Sequence, residues 1–128
     1  NVRDRAELYA APRFGASWEG FGIEQLIAIL QLPDDQCFTW SLQSGAEVDM
    51  VLTLPGGLVG VEFKAGDAPR KERSMTAAIE ALKLRKLYIV YPGDKDYVID
   101  EVVEAVGIVN LPRLVALTAR KTATETAP

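Results

Sequence analysis

The stretch GAEVDMVLTLPGGLVGVEFKAG, residues 45–66, holds two apolar runs, 47–54 and 58–65, joined at Pro55-Gly56-Gly57. Branched and apolar residues on both sides of a tight Pro-Gly-Gly turn predict a β-hairpin. Four charged residues interrupt the runs: Glu47, Asp49, Glu62 and Lys64. Side chains alternate across a strand, so Glu47 and Asp49 share one face, opposite Val48 and Met50. Glu62 and Lys64 share another, opposite Val61 and Phe63. Pairing about the turn brings Asp49 near Glu62, in a register that the residues alone do not fix. One reading is a half-exposed hairpin whose charges face water, with Glu62–Lys64 a surface pair of little energetic worth. Leu58 and Gly60 share the face of Glu62, which is unlike a uniformly wet surface.

Working outward, Ser17 is placed to cap a helix over Trp18–Gln31, with Phe21, Ile23, Leu26, Ile27 and Leu30 as its apolar stripe. Glu19 falls on that stripe. A carboxylate there needs a cation, hydrogen bonds or an exposed end of the stripe, because burying it unpaired is costly. Stabilisation by the helix dipole in the first turn is the other explanation. Glu24, at the stripe's edge, reads as solvated. LPDDQ ends the helix at Pro33, and CFTWSL (37–42) reads as a strand. A second helix is expected from Arg73 to Lys86, with Met75, Ala78, Ile79 and Leu82 on one face. LYIVYPG (87–93) is an apolar strand of the buried, parallel kind. One or two short strands and a final helical turn follow. The order α-β-β-β-α-β predicts an α/β fold with a central mixed sheet flanked by helices. Residues 1–13 read as a lead-in, 14–116 as one domain and 117–128, rich in Thr and Ala, as a disordered tail.

Composition narrows the chemistry. The 128 residues include one cysteine, Cys37, and no histidine. A disulfide within the chain, a Cys-rich or His-ligated zinc site, a Ser-His-Asp triad and a Cys-His pair are therefore excluded. Acid, base or metal chemistry must run on carboxylates, lysine, tyrosine or water. No apolar run approaches the roughly 18–20 residues that span a bilayer, and the start shows no signal segment, so a cytoplasmic protein without membrane contact is expected. The opening NVRDRAELYA lacks an initiator Met and reads as part of a longer or processed chain. The formal charge is −4, yet residues 64–86 hold seven basic residues against three acidic ones, a local +4. Within that zone Arg70, Lys71, Arg73 and Lys83 are candidates for contact with a nucleic-acid backbone. A solvated helix face is the alternative.

Carboxylate oxygens suit Mg²⁺ or Mn²⁺, hard cations commonly held by one or two carboxylates together with water and substrate phosphate. Asp49 and Glu62 on adjacent strands, with Glu19 on a nearby helix, make such a set without histidine. Lys64 would stand beside the water that the cation polarises. There it would orient or deprotonate that water, or offset charge on a phosphate.

Asp49 followed thirteen positions later by Glu62-Phe63-Lys64 resembles the PD-(D/E)XK nuclease signature, with Val48 in place of its proline. The phrases GASWEGFGIEQLI, SGAEVDMVL, GLVGVEFKAG and YIVYPGD, in that order, are similar to one subgroup. This is the PD-(D/E)XK-like domain of unassigned function at the C-terminus of bacterial and archaeal AAA-type ATPases. The resemblance runs over residues 12–115. It implies a restriction-endonuclease-like core and a possible role in cleaving DNA with Mg²⁺ or Mn²⁺. Asp49 and Glu62 would be metal ligands, the main-chain carbonyl of Phe63 a further ligand, Lys64 the catalytic lysine and Glu19 an accessory carboxylate. Glu47 belongs to the GAEVD phrase and would bond Lys64 or another basic residue. The resemblance also implies an N-terminal AAA-type ATPase domain as partner in the parent chain and allows a homo-oligomer. This chain has no GxxxxGK[ST] motif and hence no ATP site of that kind. The alternative function is a non-catalytic module on the same fold that binds DNA or protein.

Overall fold

In a computed structural model of the chain, residues 14–118 are described. They form helices α1 (Phe14–Leu30) and α2 (Arg73–Leu82). The strands are β1 (Cys37–Ser41), β2 (Glu47–Leu54), β3 (Gly57–Phe63), β4 (Lys86–Tyr91), β5 (Tyr97–Val98) and β6 (Val103–Gly107). Short 3₁₀ segments occupy Asp34–Gln36 and Ile108–Thr118. The six strands make one sheet in the order β1-β2-β3-β4-β6-β5. The hairpin half, β1-β2-β3, is antiparallel. β3, β4 and β6 run parallel, and β5 closes the far edge antiparallel to β6. The expected α/β class with a mixed sheet is what the chain adopts. Among the described residues no helix is long and apolar enough to cross a membrane.

Both faces of the central strands carry packed cores, so most of the hairpin is buried on either side, with Glu47 and Thr53 left exposed. One core joins Leu26 and Leu30 of α1 and Leu111 and Leu114 of the last 3₁₀ segment to Met50, Leu52, Val59, Val61, Phe63 and Val90. The other joins Met75 and Ala78 of α2 to Val48, Val51, Leu84, Leu87, Ile89 and Val103. Leu58 packs against this second core. Gly60 fits here because it lacks a side chain: a Cβ would lie 2.7 Å from Leu87 and 3.3 Å from Val48. The face that carries Glu62 is therefore packed under α2.

Strict alternation along β2 fails. Val48 and Val51 belong to the α2 core, whereas Met50 faces α1. The pairing with β1 shows the cause: Phe38 opposes Val51 and Trp40 opposes Val48, so β2 carries one extra residue between these pairs. This is a β-bulge at Asp49 and Met50, where the strand bends and loses part of its ladder. The expectation that Val48 and Met50 share a face is corrected by it.

Helix boundaries also differ from expectation. α1 begins at Phe14, so Ser17 lies inside the helix and is not its cap. Gln31 follows it with φ 54°, and its N–H returns to the carbonyl of Ile27 at 3.0 Å. α2 stops at Leu82 and not at Lys86, because Lys83 turns left-handed at φ 55° and the Leu84 N–H bonds the Ile79 carbonyl at 3.1 Å. Such a turn closes a helix by satisfying a late carbonyl. The final 3₁₀ segment reaches Thr118, and Leu117 packs on the α1 core. The rest of the expected disordered tail and the lead-in, residues 1–13, lie outside the described residues.

Candidate functional site

The bulge opens a fork between β2 and β3. Their ladder runs from Leu54 opposite Gly57 to Met50 opposite Val61 and goes no further, although both strands continue. Two backbone N–H groups, those of Asp49 and Phe63, thereby lose ladder partners. Buried donors need replacements, and the carboxylates supply them. The Asp49 N–H donates to Glu62 Oε1 at 3.1 Å, and the Phe63 N–H donates to Asp49 Oδ2 at 2.8 Å. Asp49 Oδ1 and Glu62 Oε2 stay outside these two bonds. On its other side β3 remains zipped to β4, with the Lys64 N–H on the Val90 carbonyl at 2.9 Å.

The fork is poor in solvent. Glu62 is only 6 % exposed and is the one buried charged residue among those described. Burial, followed by the negative charge of Asp49, pushes its pKa up to about 8. Burial also pushes Asp49 up to about 6, reinforced by the charges of Glu19 and Glu47 and opposed by the Phe63 N–H and by Lys64. Two carboxyl groups forced together away from water favour shedding one negative charge or acquiring a cation.

Lys64 does not close on Glu62. Its ammonium lies 3.1 Å from Glu72 Oε1 and 3.8 Å from Glu62 Oε2. Desolvation lowers the pKa of Lys64, but its hydrogen bond to Glu72 and the charges of Glu62, Glu72 and Asp49 outweigh it and raise the value, which keeps the side chain protonated. Its partners are thus Glu72 and Glu62; of the two partners expected for Glu47, Lys64 or another basic residue, Lys64 is engaged elsewhere. Sequence reasoning missed Glu72. The available signal was an acidic residue just before the expected start of the second helix, where a negative charge meets the positive end of the dipole.

Glu19 is exposed at the open end of the α1 stripe. A groove of about 290 Å³ brings Glu19 and Ile23 together with Thr39, Trp40, Ser41, Glu47, Val48 and Asp49. What places α1 here is Gly22: a Cβ at that position would lie 2.4 Å from the ring of Phe63. The helix thus rests directly on the residue whose N–H Asp49 accepts. Of the basic candidates, Arg70, Lys71 and Arg73 flank Glu72 in sequence at the start of α2. Lys71 is engaged by Asp100 at 2.8 Å. Lys83 caps the opposite end of α2 and stands apart from the fork.

The donor set fits a hard cation in its chemistry, since Asp49 and Glu62 offer only oxygen and lack sufficient neutralising charge. Glu19 is not drawn in to complete a triad. Among the described residues no three Asp, Glu, Cys or His side chains converge as a ready metal group.

Similarity to known proteins agrees with the extent of this unit. Residues 14–111 match a protein family described as a domain of unknown function, DUF4143. The chain is 40% identical over 105 residues to the uncharacterized protein Mb2031c of Mycobacterium bovis, covering 82% of this chain and 23% of that protein. The uncharacterized protein Rv2008c of Mycobacterium tuberculosis is similar to the same extent, again 40% identical over 105 residues, with 82% and 23% covered. The chain thus spans about a quarter of the length of these relatives. No solved structure matches it. By the match over 14–111, the chain belongs to the DUF4143 family.

Proposed function

We propose that this chain is a cation-dependent nuclease domain of a larger protein and hydrolyses phosphodiester bonds in DNA. The observation that carries the reading is the fork in which Asp49 and Glu62 each bind the other strand's backbone, with the Lys64 ammonium at its mouth. In this reading Asp49 and Glu62 hold Mg²⁺ or Mn²⁺, with the Phe63 carbonyl as a further ligand and Glu19 as an accessory carboxylate across the groove. The bound cation supplies Lewis-acid stabilisation of the phosphate and a more acidic water. In hydrolysis a water oxygen bonds to phosphorus as one of its protons passes to solvent, the bond from phosphorus to the leaving sugar oxygen breaks, and that oxygen takes up a proton from solvent. Lys64, held as an ammonium, acts as a hydrogen-bond donor to phosphate oxygen and offsets its developing charge. Its protonation supports this role over that of proton acceptor. Arg70 and Arg73 contact the nucleic-acid backbone, Lys71 does so only on leaving Asp100, and Lys83 has no part at the fork. The rest of the parent protein carries an AAA-type ATPase, a proposal that rests on the sequence resemblance.

The test is cleavage of supercoiled plasmid and branched DNA with Mn²⁺ or Mg²⁺, comparing the wild type with Asp49→Asn and Lys64→Ala. Loss of cutting in both variants supports the reading; equal nicking by all three overturns it. A second reading, a non-catalytic module that binds DNA or protein, is favoured by the lysine leaning toward Glu72 and by the open carboxylate arrangement. DNA binding without any uptake of Mn²⁺ up to millimolar concentration would select it.

A further inference from the structure

Lys64 and Glu72 are eight residues apart, and the backbone fixes both. Lys64 is tied to β4 through its N–H. Glu72 stands at the N-cap of α2 in extended conformation, φ −114° and ψ 162°. Its carbonyl accepts the N–H groups of Met75 at 3.0 Å and Thr76 at 3.2 Å, and its own N–H donates to Met75 Sδ at 3.4 Å. Met75 is buried in the α2 core, which anchors this corner. A lysine at the end of a strand would otherwise sample many rotamers, since its four-carbon stem is flexible. Here its ammonium lies nearer Glu72 than Glu62, at 3.1 Å against 3.8 Å.

We propose that Glu72 is a positioning residue of the site, which fixes the Lys64 ammonium beside the carboxylate fork and keeps it from closing on Glu62 Oε2. This rests on the reading of Asp49, Glu62 and Lys64 as a phosphodiester-cleaving site. Without Glu72 the nearest anion to the ammonium is Glu62, and a lysine closed onto that carboxylate occupies the oxygen that a cation needs. The N-terminal end of α2 is then part of the working site, although Glu72 itself does not reach the substrate.

The experiment has two arms on the whole chain, using the wild type, Glu72→Gln, Glu72→Asp, Lys64→Met and the Glu72→Gln/Lys64→Met double variant. The first arm needs no metal and no activity: NMR relaxation of the Lys64 side-chain terminus, with Lys83 as an internal reference. Lys64 is expected to be more ordered than Lys83 in the wild type, its ammonium resonance to shift in Glu72→Gln as it passes from Glu72 to Glu62, and that shift to be partly reversed in Glu72→Asp. An unshifted Lys64 resonance with unchanged relaxation in Glu72→Gln overturns the proposal. The second arm measures Mn²⁺ affinity and the kinetics of plasmid cleavage. Glu72→Gln should weaken Mn²⁺ binding several-fold and lower kcat by about tenfold with little change in KM. The double variant should be no worse than Lys64→Met alone. Losses that multiply in the double variant also overturn the proposal, because Glu72 would then act independently of Lys64. A wild type that neither binds Mn²⁺ nor cuts removes the nuclease reading, while the first arm still decides whether Glu72 positions Lys64.

Discussion

Asp49 and Glu62 satisfy the place where their strands part: the amide of Asp49 donates to Glu62, and the carboxylate of Asp49 accepts the amide that follows Glu62. Each side chain therefore has two roles, as a backbone acceptor and as a charge. The two roles separate by substitution.

Asp49→Asn keeps an acceptor for the Phe63 N–H and removes the charge, whereas Asp49→Ala leaves that donor without a partner. Asp49→Ala should lose about 1–3 kcal/mol of stability, the cost of an unmet buried donor. Asp49→Asn should be neutral or more stable than the wild type at pH 8. Urea unfolding of the three proteins checks this, and equal midpoints for Asn and Ala would refute it.

Stability should fall as pH rises. Glu62 titrates at about 8 in the folded chain against 4.5 for a free glutamate, and Asp49 at about 6 against 3.8. A carboxyl whose folded pKa is raised binds more protons folded than unfolded in that window, so stability drops from about pH 4 to about pH 8 and is level above it. The loss should be on the order of a few kcal/mol, and Glu62→Gln should remove most of it. Denaturant midpoints between pH 5 and 8.5 give the slope.

A cation bound at the fork as proposed would compete with those protons. Mn²⁺ affinity should rise steeply between pH 6 and 8 and proton release should accompany binding, as it does wherever ligands must first ionise. Calorimetry in two buffers of different ionisation enthalpy measures the released protons. Affinity that is flat with pH would move the cation to other residues.

Gly22→Ala puts a methyl 2.4 Å from the ring of Phe63, a contact that one of the two must relieve. Overpacking of this kind costs about 1–3 kcal/mol. The loss should be smaller in a Phe63→Leu background, where the ring edge is gone. Thermal unfolding of the four proteins completes the cycle.

Arg113 joins the last 3₁₀ segment to the sheet through Asp96, at 2.6 Å, and Glu104. Asp96 also accepts the Gly107 N–H at 2.9 Å and the Asn110 side chain at 3.0 Å. Arg113→Ala should speed amide exchange over 108–118 with little effect on the amides of β2 and β3.

Much of this was legible in the residues. The span 47–54 reads as a strand at both ends because apolar branched side chains fill it and turn residues bound it. The nearness of Asp49 and Glu62 follows from the hairpin alone. The bulge does not, because it arises from how β1 pairs with β2, and Val48-Asp49-Met50 alternates as regularly as any strand. Glu72 was hidden for a similar reason. The path of residues 65–71 between Lys64 and α2 obeys no period, so nothing in the spacing brings those two charges together. The early start of α1 at Phe14 reflects the weak commitment of Ser17, which suits a cap or a first turn about equally well.

The uneven bonding of β3 has a mechanical consequence. At its C-terminal end this strand is fastened on the β4 side through Lys64, yet released on the β2 side beyond Val61. Glu62 therefore rides on a strand laddered to β4, whereas Asp49 is joined to that strand by the two side-chain bonds alone. The separation of the two carboxylates thus depends on those two side-chain bonds and on the β1–β2 pair, and not on the ladders of β3 with β4 or of β4 with β6.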